Sequence, residues 1–256
     1  MDTRVADQLR LRGGHLDFIG RSHIWIDDYD RADSVQFAQF AIANALAHTA
    51  PGQLEVLVFD DALRGIAAPF QEVNSGGEKI LRHINDLQEL NETIKYLHEH
   101  VRSVLNVIQG RTESLLDFRQ QLSPKVEGFK LVVLSTIYDL LSDEIRDKLT
   151  VLLKAGPAAG VTFLIHSMKL NVNKEILNLT QLCDVDERTV YGNNGEARGQ
   201  FDPQSADDLI SVSRHVASAV ANAQVEPVAF SEVQPLDASW SQSSRDGISF
   251  AVGTYG

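Results

Sequence analysis

Four aspartates crowd the short stretch between an apolar run and a helix-forming one: Asp27, Asp28, Asp30 and Asp33 follow "HIWI" and lead into Ser34. A second acidic pair, Asp60 and Asp61, closes the apolar run "LEVLVFDD". Ligands of open α/β sheets bind outside the carboxyl ends of the strands, so carboxylates at such ends stand where chemistry is done. They could hold a magnesium ion in a pocket. They could equally bind nothing, cap the following helix and favour its dipole. Other chemistries lack their residues. Cys183 is the one cysteine, and histidines such as His23, His48, His83 and His98 show no ligand spacing. His98 and His100 stand two apart on a helix and cannot face the same ion. There is no G-x-S-x-G elbow, and no G-x-G-x-x-G follows a strand. Cys183 sits in "LCDVDE", whose acidic character predicts a raised thiol pKa. Ser167, at a strand end, reads as a hydrogen-bonded turn residue.

The elements that must position these residues follow from periodicity. "HIWID" (23–27), "LEVLVFDD" (54–61), "FKLVVLS" (129–135) and "VTFLIHS" (161–167) are short continuous apolar runs, the pattern of strands buried in a parallel sheet. A helix is expected from Ser34 to His48, with Val35, Ala38, Ile42 and Ala45 on one stripe and Asp33 with Gln36 as a capping box. A second runs from Ile84 to Ile108. Its apolar positions, Leu87, Leu90, Ile94, Leu97, Val101, Val104 and Ile108, form a seam that suits either packing on the sheet or a coiled coil with a partner. A third starts at Ser142-Asp143-Glu144 with Ile145, Leu149 and Leu152 inward, and "AGPAAG" stops it. The last runs from Ser205 to Ala223 with a Ser205–Asp208 capping box. Strand, helix, strand, long insertion, strand, helix, strand predicts a parallel sheet with right-handed crossovers. The strands ending at Asp27, Asp60 and Ser135 are expected to be neighbours in it.

The chain has 256 residues, 43% of them apolar, enough for one large α/β domain or two small ones. Lys plus Arg is 23 against 35 Asp plus Glu, a net charge of −12, which argues against an autonomous nucleic-acid binder. One cysteine excludes an internal disulfide and fits a reducing cytoplasm. The first residues carry no apolar h-region, and no segment approaches the roughly 20 apolar residues of a membrane span, so neither signal peptide nor membrane anchoring is expected.

Four stretches together resemble a RecA-type domain of the FtsK/SpoIIIE (HerA-related) DNA translocases. "HIWIDDYDRADSVQFAQFAIANALAHTAPGQLEVLVFDD" follows that family's strand, phosphate loop, helix and Asp-ended strand. The long helix 84–108 is followed by "ESLLDFRQQ". "FKLVVLSTIYDLLSDEIRDKLTVLLKAGPAAGVTFLIHS" is similar to the magnesium-binding strand, a helix, a G-x-x-x-G turn and the sensor strand. "PLDASWSQSSRDGISFAVGTYG" resembles the segment that introduces a further ATPase module. The resemblance implies an α/β, RecA-like P-loop-NTPase-type parallel sheet flanked by helices. It covers about residues 23–220, giving a domain at 23–223; the polar, Arg-bearing residues 1–22, broken at Gly13-Gly14, read as an N-terminal arm or an outer strand, and 224–256 as an extended linker toward a following module.

The departures carry the functional expectation. The family's phosphate loop is G-x-x-x-x-G-K-[ST], whose amides cradle phosphate while the Lys reaches the β and γ oxygens. The aligned stretch here is "DDYDRADS", which carries Asp27, Asp28, Asp30 and Asp33 and has neither glycine nor lysine; only Ser34 keeps the hydroxyl type. Carboxylates there would repel a triphosphate by several kcal/mol at low effective dielectric. The family's acidic pair after the third strand is replaced by Ser135 and Thr136, with Asp139 further on. The expectation is a degenerate, non-hydrolysing ATPase-fold module with no cofactor and no metal. Its partners would be an adjacent ATPase module or other motor subunits, with DNA met only through the assembled machine and self-association open. Two alternatives stand beside it. One is an ATPase that binds nucleotide through a subunit interface, with Arg64, Arg111, Arg146 or Arg198 reaching a neighbour. The other is a receiver-like magnesium-binding signalling module with Lys169 near the acid pocket. "HIWIDDYDRADSVQFAQFAIANAL" resembles a receiver's first strand and helix, but the chain from Asp60 to Ser135 is about twice what that fold allows.

Overall fold

Runs of apolar residues without alternation can be buried only between two covering layers, and these runs occupy the middle of one eight-stranded sheet. The computed structural model describes residues 3–27, 32–121, 128–169 and 172–223. The stretch expected as a linker, 224–256, lies outside them. In chain order the strands are β1 (Gln8–Leu11), β2 (Gly14–Asp17), β3 (His23–Asp27), β4 (Leu54–Asp60), β5 (Leu81–Ile84), β6 (Phe129–Ser135), β7 (Val161–Ser167), β8 (Thr180–Asp186), β9 (Thr189–Tyr191) and β10 (Ala197–Gln200). The main sheet has the order β10-β9-β8-β3-β7-β6-β4-β5. Its strands from β8 to β5 are parallel, while β9 and β10 extend it antiparallel. Every residue of β3, β6 and β7 is buried, as their unbroken apolar runs require.

The helices are α1 (Ala32–His48), α2 (Leu87–Ile108), α3 (Leu115–Gln121), α4 (Asp143–Ala155), α5 (Lys174–Asn178) and α6 (Ala206–Ala223). They form two groups: α1 packs with α6, and α2 packs with α3 and α4. The seam of α2 faces this protein's own core. Leu90, Ile94, Leu97, Val101, Val104 and Ile108 are buried, and only Leu87, at 49%, is exposed. Asp86 caps α2 by accepting from Glu89 N at 2.8 Å, and Glu89 returns the bond to Asn85 N at 2.9 Å. α4 is capped by Ser142 Oγ, and α6 has its capping box, with Asp208 N on Ser205 Oγ and Ser205 N on Asp208 Oδ2, both at 3.2 Å. Gly160 ends the "AGPAAG" turn at φ 77°, where a Cβ would lie 2.6 Å from Leu115 Cδ2.

Three expectations are corrected. The strands ending at Asp27, Asp60 and Ser135 do share one parallel sheet, but β3 is not beside β6 or β4; β7 lies between β3 and β6. Residue order fixed their direction and not their spacing, because β7 returns from α4 into the gap. The α2 helix begins at Leu87, since Ile84 closes β5. Asp33 lies inside the first turn of α1, and its carboxylate accepts from Glu187 N at 3.1 Å instead of joining a capping box. The tight turn at Glu187 and Arg188, both at positive φ, turns that amide toward the helix. Near the N-terminus, β1 and β2 form a hairpin that buries Leu9, Leu11 and Leu16 in the common core and bridges to β10 through Arg12 and Gln200.

His23 joins three elements at the start of β3. Its Nε2–H donates to the Leu153 carbonyl of α4 at 2.9 Å, and its Nδ1 accepts from Phe163 N of β7, also at 2.9 Å. Nδ1 can accept only while the ring is neutral, and burial lowers its pKa to about 4 against the opposing bond to Leu153. A depressed folded-state pKa means that the unfolded chain takes up the proton first as pH falls. Stability is therefore complete above the ordinary histidine pKa of about 6.5 and declines below it, by about 3 kcal/mol when pH 4 is reached. Urea midpoints measured from pH 7 down to 4.5 are expected to fall in this window, and the His23→Gln variant to fall less steeply. Parallel profiles for the two proteins would contradict this assignment.

Candidate functional site

The carboxyl ends of β3, β7, β6 and β4 and the first turn of α1 converge at one edge of the sheet, and polar side chains there are buried against one another. Asp27 ends β3 with its side chain 0% exposed. A carboxylate so removed from water demands partners. It has Lys169 twice: Nζ lies 2.7 Å from Oδ2, and the Lys169 backbone N–H donates to Oδ1 at 3.0 Å. The loop leaving β7 therefore folds back over the end of β3.

One step deeper, Ser34 Oγ of α1 lies 2.9 Å from His166 Nε2, and His166 Nδ1 lies 3.3 Å from Ser135 Oγ of β6. All three residues are buried. The ring of His166 thus spans from the first turn of α1 to the end of β6. Neutral imidazole offers one donor and one acceptor and each hydroxyl can do either, so the chain is satisfied in both tautomers. Beside it, Thr136 N donates to the His166 carbonyl at 3.3 Å, and Thr136 Oγ1 donates to Asp61 Oδ2 at 3.0 Å. Ser167 Oγ accepts from Tyr138 N at 3.0 Å, the turn role expected of it.

The expected residues therefore meet in part. Asp27, Asp33, Ser34, Ser135 and Thr136 all stand at this edge, each bonded within the protein. Asp28 and Asp30 lie outside the described residues. The second acidic pair stands further along the same edge, with Asp61 reaching Thr136: β3 and β4 are separated by β7 and β6, which places Asp27 and Asp60 about 14 Å apart at roughly 4.8 Å per strand. They do not make one acid pocket. Asp60 is engaged in its own loop, accepting from the backbone N–H of Arg64, Gly65 and Ile66 at 3.0, 2.8 and 3.3 Å. Among the described residues no group of three His, Cys, Asp or Glu side chains is placed to hold a metal ion. Of the candidate arginines, Arg146 is paired with Asp143 and Arg198 with Glu196. Burial pushes the Cys183 thiol up to about 12; the cause is its enclosure in β8, and the acidic neighbours in sequence are not needed.

Sequence reasoning missed His166 and assigned Lys169 a different part. A signal existed. "VTFLIHSMK" carries a histidine at the penultimate position of an otherwise apolar strand, where a buried polar ring must have partners.

The sheet and its flanking helices form a RecA-like P-loop ATPase fold, as comparison with solved structures shows. The chain is similar to ATPases 2 and 3 of EssC from Geobacillus thermodenitrificans, with a TM-score of 0.63 at 11% identity over 87% of this chain and 53% of that one. It is similar to ATPases 2 and 3 of Thermomonospora curvata EccC, solved in complex with a signal sequence peptide, with a TM-score of 0.62 at 14% identity over 83% and 44%. The pCW3 conjugation coupling protein TcpA, in its monomer form with ATPgS, gives 0.51 at 13% identity over 80% and 56%. The chain thus spans about half the length of these structures. No protein-family model matches the sequence, and no curated protein matches it.

The Asp27–Lys169 pair is asymmetric, and so is its disruption. Lys169 is 36% exposed and can turn to water, whereas Asp27 cannot. Lys169→Ala leaves a buried, unpaired carboxylate and is expected to cost about 3 kcal/mol. Asp27→Asn leaves an ammonium that can find solvent and should cost less. The double variant should recover part of the Lys169→Ala loss. Guanidinium unfolding of the four proteins checks this; additive losses would contradict the pairing.

Proposed function

We propose that this chain is an ATPase-fold module in which the phosphate and magnesium position has become a structural junction, and that it serves a multi-module motor of the FtsK/SpoIIIE kind by interaction and not by hydrolysis. The observation that carries this reading is the bond between Ser34 Oγ and His166 Nε2 at 2.9 Å. In a working phosphate loop the hydroxyl at this position binds Mg²⁺. Here it is committed to a histidine, which also takes the hydroxyl of Ser135 where the resemblance expects a magnesium-binding carboxylate. These residues do not fit a magnesium nucleotide. Ser34 would have to surrender a buried bond, Ser135 and Thr136 offer no charge, and "DDYDRADS" supplies neither glycine nest nor lysine.

In this reading residues 23–223 are the module together with the β1–β2 hairpin of the segment expected as an arm, which is buried in the same core, and 224–256 lead toward a further module. The similarity to structures of EssC and EccC that each hold ATPases 2 and 3 supports a partner of the same architecture in the same machine. DNA would be met only through that assembly, and the compartment is the cytoplasm. No helix among the described residues is long and apolar enough to cross a membrane.

Thermal melting with and without MgATP tests the reading. A ligand held by the native state alone stabilises it by about 2.7 kcal/mol at one hundred times its dissociation constant. Millimolar MgATP is expected to leave the melting temperature unchanged. A magnesium-dependent rise that disappears in the Asp27→Ala, Asp28→Ala double variant would overturn the proposal.

A further inference from the structure

Large apolar side chains exposed singly are ordinary, but several gathered on one edge mark a contact surface. Among the described residues eight large apolar side chains are exposed, and four of them, Leu63, Ile137, Leu140 and Met168, lie in the loops leaving β4, β6 and β7. Those strands are consecutive in the sheet, and their loops are tied together. Ala62 N donates to the Ser135 carbonyl, Thr136 Oγ1 to Asp61, and Tyr138 N to Ser167 Oγ. Leu63 is 88% exposed and Leu140 74%.

Leu63 is also held there against local preference. Its φ is 51°, a conformation uncommon outside glycine, asparagine and aspartate. The loop cannot relax, because the Asp60 carboxylate accepts three consecutive backbone N–H groups just beyond it. A strained backbone that presents a leucine to water is a feature without a folding benefit, and such strain concentrates where a surface binds.

We propose that this edge docks a partner protein through a basic amphipathic helix, with apolar side chains seated on Leu63, Ile137, Leu140 and Met168 and lysines or arginines around them. Charge selects the occupant. Asp61 and Asp139 lie in these loops, Asp143 and Glu144 open α4 just beyond Leu140, and Asp86 caps α2 after the neighbouring β5, against Arg64, Arg146, Lys148 and Lys169, of which the last three are paired with Asp143, Glu144 and Asp27. The excess is acidic. A second copy of this chain would bring the same acidic edge. The chain's own segment 224–256 carries Glu226, Glu232, Asp237 and Asp246 against one Arg245. An anionic lipid surface is repelled on the same ground. A basic protein segment satisfies both the apolar and the charged halves. This inference concerns a surface outside the Ser34–His166–Ser135 junction and stands whether or not nucleotide binds there.

The test uses the full chain and a fluorescent Leu/Lys amphipathic peptide of about 18 residues, roughly five helical turns, with a Leu/Glu peptide of the same pattern as control. Anisotropy at physiological salt is expected to show binding of the Leu/Lys peptide only. Leu63→Asn and Leu140→Gln change no charge, so electrostatic attraction alone would survive them. Each is expected to weaken binding about tenfold or more, as loss of an anchor residue does. Leu63→Asn should do so with an equal or higher melting temperature, since asparagine accepts positive φ more readily. The proposal is overturned if the unmodified chain does not bind, if both variants bind as well as it does, or if the Leu/Glu peptide binds equally. It is also overturned if sedimentation shows a dimer of the chain that these substitutions dissolve.

Discussion

A carboxylate taken out of water at the end of a central strand must be neutralised where it stands, and the edge of this sheet is organised around that demand. Asp27 ends β3 fully enclosed. Its partner, Lys169, lies in the loop leaving β7, so the ion pair fixes that loop over β3. With the loop closed, His166 at the end of the same strand is held between α1 and β6, and its two ring nitrogens take up Ser34 and Ser135. These bonds between buried polar groups favour a single arrangement of the edge. Among the described residues, the side chains at the edge where this fold class binds ligands are thus bonded to one another.

Much of this fold was legible because its central elements carry unambiguous periodicity. β3, β4, β6 and β7 are unbroken apolar runs, and the α2 seam steps by three and four. Ser142 and the Ser205–Asp208 pair stand where helices α4 and α6 begin. The pieces that escaped are short or mixed. β5 is four residues, "LRHI", which reads as the start of the following helix, and β8, β9 and β10 alternate polar and apolar residues across turns. Strand order escaped as well: nothing local says that β7 inserts between β3 and β6.

Of the proposed site the sequence shows only what the stretches lack. The missing glycines and lysine, and hydroxyls where carboxylates were expected, can be read directly from "DDYDRADS" and "LVVLST". What fills the space cannot, because Ser34, Ser135 and His166 are brought together from three separate elements by tertiary packing alone. The same holds for Leu63, Ile137, Leu140 and Met168, unremarkable one by one along the chain and brought to one edge only by the parallel order of β7, β6 and β4.

The central claim is that His166 holds the place of a bound ion. The most direct measurement is nitrogen–proton correlation of the His166 ring by NMR while MgATP is titrated into the protein. The expected result is hydrogen-bonded ring signals that do not move at any nucleotide concentration. Movement of those signals in step with added MgATP, and not with ATP alone, would show that Ser34 releases the ring to a metal, and would contradict it.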